Sequence, residues 1–214
     1  MHTKNRSALG VVVGALALAA STLSCGGSSG GAACNTQPCG GDVVGNWTAS
    51  SACADQESLN MEFLSAIAGD CPTATLSNVS YAPTGTLTFD AALNYTASIT
   101  MAIGFHMNIP ASCLSGATCA DVNAGIQSVV GTDGIQSATC TGSGSCTCVI
   151  AGVTDIEDSA GTYTAAGTTL TLTATSGGNG DSGPYCVKGS SLHLISVDMS
   201  MAMAKITGDI VLVK

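Results

Sequence analysis

The sequence predicts an all-β fold, an antiparallel up-and-down β-barrel of roughly 8–10 strands with two short helices and disulfide staples. Three observations lead there. Apolar residues recur with a period of two, turn-forming runs separate those stretches, and the chain holds 11 cysteines among 214 residues. A period of two puts one set of side chains on a single face of a strand. Cysteines at this density belong to an oxidising compartment.

The chain opens with an export signal. Lys4 and Arg6 supply a positive start, and Ala8 to Ala20 is apolar or small throughout. That run is shorter than the ~20 residues a spanning helix needs, so a retained membrane segment is the weakest reading. Ala17-Leu18-Ala19 fits ordinary signal peptidase, whereas Ser21-Thr22-Leu23-Ser24-Cys25 resembles the lipobox of bacterial lipoproteins. The expected division is a signal peptide over 1–24, a lipidated Cys25 and flexible Gly/Ser-rich tether over 25–41, and one β-barrel domain over 42–214. Lipidation implies membrane attachment through Cys25, and Gly26 after it implies the outer membrane; plain secretion is the alternative.

With Cys25 set aside, Cys34, Cys39, Cys53, Cys71, Cys113, Cys119, Cys140, Cys146, Cys148 and Cys186 form an even set. Sequence proximity favours Cys34–Cys39, Cys53–Cys71 and Cys113–Cys119, with Cys140, Cys146, Cys148 and Cys186 pairing among themselves. Cys146-Thr-Cys148 is not the redox Cys-x-x-Cys spacing, and no second such pair suggests zinc.

After the signal, Lys188, Lys205 and Lys214 stand against all 14 acids, a formal charge of −11 with no arginine left. That balance excludes nucleic acid and anionic lipid surfaces as electrostatic partners. Asp155-Ile156-Glu157-Asp158 reads as a solvated loop, since it lacks calcium-loop spacing.

The longest strand signal is Tyr95, Ala97, Ile99, Met101, Ile103, Phe105, Met107 and Ile109, with polar residues mostly between them. Shorter alternations follow in Thr86–Phe89, Thr162–Ala165, Thr169–Thr175, Leu192–Val197 and Ile206–Val213. Ala82–Gly85, Thr141–Gly144 and Ser176–Pro184 supply turns, so short antiparallel hairpins are expected. Two stretches switch to helical spacing. Asp55 to Ala68 carries Leu59, Phe63, Leu64 and Ile67, and Ala117 to Val130 carries Val122, Ile126 and Val129.

Gly45-Asn46-Trp47 opens the first strand, and Gly161–Tyr163, Leu170–Leu172 and Tyr185–Leu194 continue as hairpins. In this the chain resembles the lipocalin-like group, and Gly41 to Trp47 resembles the opening of Cys-rich lipoproteins of myxobacterial type. The resemblance implies that Gly45 and Trp47 close one end of the barrel. It also implies a cation stacked on the tryptophan. Lipocalins use a last-strand arginine; here Lys205 or Lys214 is expected to substitute.

A barrel of this size either fills with side chains or holds a small ligand. The candidate lining is Tyr95, Ile99, Met101, Ile103, Phe105 and Met107, with Met199, Met201 and Met203. Alternating methionines could bind Cu(I) with His106, but they continue the apolar phase of Val197 and read as core. No metal or other cofactor is expected. His193, between Leu192 and Leu194, is expected to face solvent. No nucleophile elbow or phosphate loop is present. The expected activity is non-covalent binding of a small apolar or amphipathic molecule, without chemistry. A filled interaction or structural module is the alternative, and a periplasmic enzyme using scattered acids the third.

Overall fold

In the computed structural model the described residues are 35–54, 71–132, 134–175, 181–199 and 207–214, with only the backbone described over 155–158. Among them lie nine strands. They are β1 (Gly45–Ala54), β2 (Thr75–Phe89), β3 (Asn94–Ile109), β4 (Ile135–Thr141), β5 (Cys146–Ala166), β6 (Thr169–Ala174), β7 (Asp181–Lys188), β8 (Ser191–Asp198) and β9 (Thr207–Val213). The protein is all-β, and every pairing between these strands is antiparallel. The hydrogen-bonded order is β3-β2-β1-β9-β8-β7-β6-β5-β4, and β3 pairs with β5 as well. β5 is long enough to hold β3 along one edge, from Ile109↔Cys146 to Asn94↔Thr162. Its other edge carries β4 beside its first half and β6 beside its last residues.

Alternation builds the core. Tyr95, Ala97, Ile99, Met101, Ile103, Phe105 and Met107 are all buried on one face of β3, with Ile109 half-buried at its end. They share a cluster with Trp47, Leu87, Phe89, Leu192, Ile210 and Leu212 from neighbouring strands. The other face of β2 and β3 is a ladder of hydroxyls. Thr84 lies opposite Thr100 with the two oxygens 2.9 Å apart, Thr86 opposite Ser98 and Thr88 opposite Thr96. Such residues keep strand preference without exposing apolar surface. Gly85 sits in this ladder at φ 111°, where a Cβ would fall 1.9 Å from the Ser98 carbonyl oxygen, so only glycine fits.

The expected helix over 117–130 forms as α1 (Cys119–Gln127), shorter because turns follow from Ser128. Thr118 and Asp121 close a capping box at its start, and the Thr118 amide and hydroxyl, both donating to Asp121 Oδ2, hold the Asp121 carboxyl below its usual value. The helix protects a sheet edge. The Cys140 amide donates to Asn123 Oδ1 at 2.8 Å, and Gln127 Nε2 donates to the Ala138 carbonyl. Asn123 and Gln127, four apart on one helix face, satisfy alternate backbone groups of β4. The expected helix over 55–68 lies outside the described residues.

Most of the proximity-based disulfide pairing is overturned. The bridges are Cys39–Cys186, Cys71–Cys113, Cys119–Cys146 and Cys140–Cys148. Cys53 is disulfide-bonded too, with a partner outside the described residues. Only Cys140–Cys148 falls within the expected group of four. The reason is register: antiparallel pairing sets Cys140 directly opposite Cys148, whereas turns aim sequence neighbours such as Cys113 and Cys119 at different elements. The acidic run Asp155–Asp158 is not a loop either. The ladder with β3 draws its backbone into β5.

Candidate functional site

Two features of the interior stand apart from plain core: an aromatic cluster around Trp47 and a cavity between β7 and β8. In the aromatic cluster Trp47 is fully buried, and its Nε1 donates to the Val43 carbonyl at 2.7 Å. Lys214 Nζ lies 4.3 Å from the centre of the Trp47 ring and donates to the Val44 carbonyl at 2.8 Å. Of the two lysines considered, Lys214 stacks on the tryptophan, and Lys205 is outside the described residues. Gly45 makes the room. Its φ is 141°, and a Cβ there would sit 2.7 Å from Lys214 Cε. Around this group Phe89 meets Tyr163 edge-on at 4.8 Å between centroids and Tyr95 at 6.5 Å. Tyr163 donates to the Asp90 carbonyl and Tyr185 to the Gly41 carbonyl. Burial raises the pKa of both phenols, so each stays a neutral donor.

The end of the segment read from sequence as tether lies beside β7, where Gly40 forms a parallel bridge with Cys186. The amides of Cys39 and Gly40 both donate to the Tyr185 carbonyl, beside the Cys39–Cys186 bridge. Thr36 Oγ1 is 3.3 Å from His193 Nδ1, so His193 is half-buried rather than facing solvent freely, and burial lowers its pKa.

The cavity arises where two strands stop pairing. The β7–β8 ladder ends at Tyr185↔Leu194, although β7 begins at Asp181 and β8 continues to Asp198. Each strand contributes a cause. The Tyr185 amide points away from β8 to the Thr168 carbonyl, so the next ladder donor toward β8 would come from residue 184, a proline without one. In β8 the register slips between Leu194 and Val197, with Ser196 at φ 58°. Asp209 pins that bulge by accepting the Ser196 amide at 3.2 Å. Its side chain is 4% exposed and its Oδ2 has no hydrogen-bond partner, so desolvation raises its pKa.

The resulting cavity is about 300 Å³. Leu87, Ile99, Leu170 and Leu172 form its apolar lining, with Leu194, Ile195 and Val197 on the β8 side. Asp181, Ser182, Ser196 and Asp198 are its exposed polar residues.

Most of the candidate lining therefore lies elsewhere. Of the seven candidates among the described residues, Ile99 alone reaches the cavity. Tyr95, Met101, Ile103, Phe105, Met107 and Met199 are packed core, and Met201 and Met203 lie outside the described residues. Sequence reading missed Leu170, Leu172, Asp181, Val197 and Asp198. Two signals pointed there: Pro184 inside a strand pattern, and Leu194-Ile195, where two adjacent apolar residues break the alternation. Among the described residues no group of three or more His, Cys, Asp or Glu is arranged to hold a metal ion, and no helix is long and apolar enough to cross a membrane. Comparison with family models, curated proteins and solved structures finds no match to this chain.

Proposed function

We propose that this chain is a lipid-anchored cell-envelope protein whose sheet closes as a lipocalin-like barrel and binds a small apolar or amphipathic molecule without chemistry. The continuous pairing from β3 round to β5 and back to β3 supports closure. Lys214 over Trp47, with Gly45 beside it, supports the lipocalin-like reading. The observation that carries the binding function is the cavity at the β7–β8 split, with its apolar lining and polar rim. Its volume is at the small end of the ~300–1,000 Å³ typical of ligand sites, so the ligand is compact.

The test is native mass spectrometry of the chain carrying Cys25→Ser, exported to an oxidising compartment, with identification of what co-purifies. A stoichiometric apolar passenger, lost when Val197→Phe fills the cavity, is the expected result. Anchoring is tested separately by labelled fatty acid, which the wild-type chain incorporates and Cys25→Ser does not.

The second reading is a filled interaction module. The full burial of Met101, Ile103 and Phe105 favours it, because side chains occupy that stretch of the interior. A passenger-free mass, unchanged by added amphiphiles, would select it.

A further inference from the structure

We infer that Cys53 is bridged to Cys34, which leaves Cys25 as the unpaired cysteine and the thiol free to take the lipid. The pairing is argued from the described residues, and the role left to Cys25 rests on the anchoring reading proposed above.

Elimination narrows the partner to two residues. The chain has 11 cysteines, and Cys39–Cys186, Cys71–Cys113, Cys119–Cys146 and Cys140–Cys148 account for eight of them. Cys53 is disulfide-bonded as well. The two that remain, Cys25 and Cys34, both lie outside the described residues.

Register shows where the partner must arrive. Cys186 lies opposite His193, His193 opposite Val211, and Asp209, two residues from Val211, opposite Cys53. Directly opposed residues share a face, as do residues two apart along a strand. Cys186, His193, Val211, Asp209 and Cys53 therefore form one diagonal band, turned away from the core residues Leu192, Ile210 and Leu212. Four of the five are nevertheless buried, and His193 is half-buried. An outward-facing band stays dry only where more of the chain lies over it.

The segment before β1 enters this band from the β7 side. Cys39 is bridged to Cys186, and Thr36 Oγ1 lies 3.3 Å from His193 Nδ1 on the next strand. Followed toward its N-terminus, the segment thus moves from β7 to β8, in the direction of β9 and β1. Cys53 is two strands further and two residues along, about 12 Å from His193 at ~4.8 Å between strands and ~3.4 Å per residue. Cys34 is two residues from Thr36, a reach of about 7 Å, and a bridge adds about 5.5 Å between Cα atoms. The two lengths together span the gap. Pairing Cys25 with Cys53 would instead leave Cys34 as a lone thiol in an oxidising compartment and consume the lipobox cysteine. With Cys34 and Cys39 both bridged, the anchor joins the barrel at the outer face of β1 through at most about 30 Å of chain.

The experiment maps the bridges of the wild-type chain, exported to an oxidising compartment from cells fed labelled fatty acid. Free thiols are alkylated in denaturant without reductant, and peptic fragments are sequenced by electron-transfer fragmentation, which opens S–S bonds. The expected result is a fragment joining Cys34 to Cys53, with the label on Cys25. Cys34→Ser should expose one new thiol, at Cys53, while Cys25 keeps its label. A fragment joining Cys25 to Cys53 would overturn the pairing and remove the lipid acceptor with it. Alkylation of both Cys34 and Cys53 would overturn the pairing alone, whatever Cys25 carries. Cys34 joined to Cys53, with Cys25 alkylated and unlabelled, would uphold the pairing and overturn the anchoring reading.

Discussion

The two ends of the sheet are built from different materials. Trp47, Phe89, Tyr95, Tyr163 and Tyr185 gather at one end, five of the chain's eight aromatic residues (one Trp, three Phe, four Tyr). The opposite end, where β3 finishes and β5 begins, is packed with Leu76, Met107, Ala138 and Ile150 and crossed by Cys71–Cys113, Cys119–Cys146 and Cys140–Cys148. Large rings bury area and hold one another in fixed geometry. Small side chains bury less, and covalent links constrain the chain where area cannot. One end is thus held by ring packing with the Cys39–Cys186 bridge beside Tyr185, and the other by three bridges around an aliphatic cluster.

Breaking the staples should have the largest effects, graded by the loop each one closes. Paired Cys→Ser changes are expected to cost about 5 kcal/mol at Cys39–Cys186, about 4 at Cys71–Cys113, about 3.5 at Cys119–Cys146 and about 2.5 at Cys140–Cys148, because the separations are 147, 42, 27 and 8 residues. Urea melts of the four variants measure this, and equal losses would show that loop entropy is not the cause.

At the aromatic end, Trp47→Phe should cost about 2 kcal/mol. It removes volume from a buried site and leaves the Val43 carbonyl without its donor. The same urea melts under reducing conditions sharpen the contrast: the loss at Trp47 should persist after the bridges are gone. Lys214→Met should cost about 1 kcal/mol through the lost contact with the ring, and Lys214→Arg should restore it.

The smallest effect is a gain. Asp209→Asn should stabilise the chain at neutral pH by about 1 kcal/mol, since the amide keeps an acceptor for Ser196 and removes a poorly solvated charge. The sign of the pH dependence follows. Asp209 titrates above its ordinary value of 3.8 in the folded chain, so the folded state binds its proton more tightly than the unfolded state. Its effect is to lower stability as pH rises from that ordinary value through the folded one. Thermal melts across pH 3–8 should show that slope in the wild type and a flatter line in Asp209→Asn.

Legibility in the sequence followed the range of the interaction. β3 could be read residue by residue, from Tyr95 to Ile109, because facing is a property of one strand's own backbone. Gly45 and Trp47 were legible as a motif, and Lys214 as one of two possible cations. The cavity was not legible. Pro184 and Leu194-Ile195 each mark a local irregularity, but only their adjacency across β7 and β8 makes an opening. Asp209 looked like one scattered acid among many until β9 set it beneath the Ser196 amide.

The sequence by itself determined the all-β class, the use of disulfides and the apolar face of β3, since composition and alternation act within a few residues. Tertiary structure alone decided which cysteines meet, which edge Asn123 and Gln127 protect, and where the ladder parts. Those outcomes depend on strand order and register, which are set by packing between segments tens of residues apart and leave no local pattern in the chain.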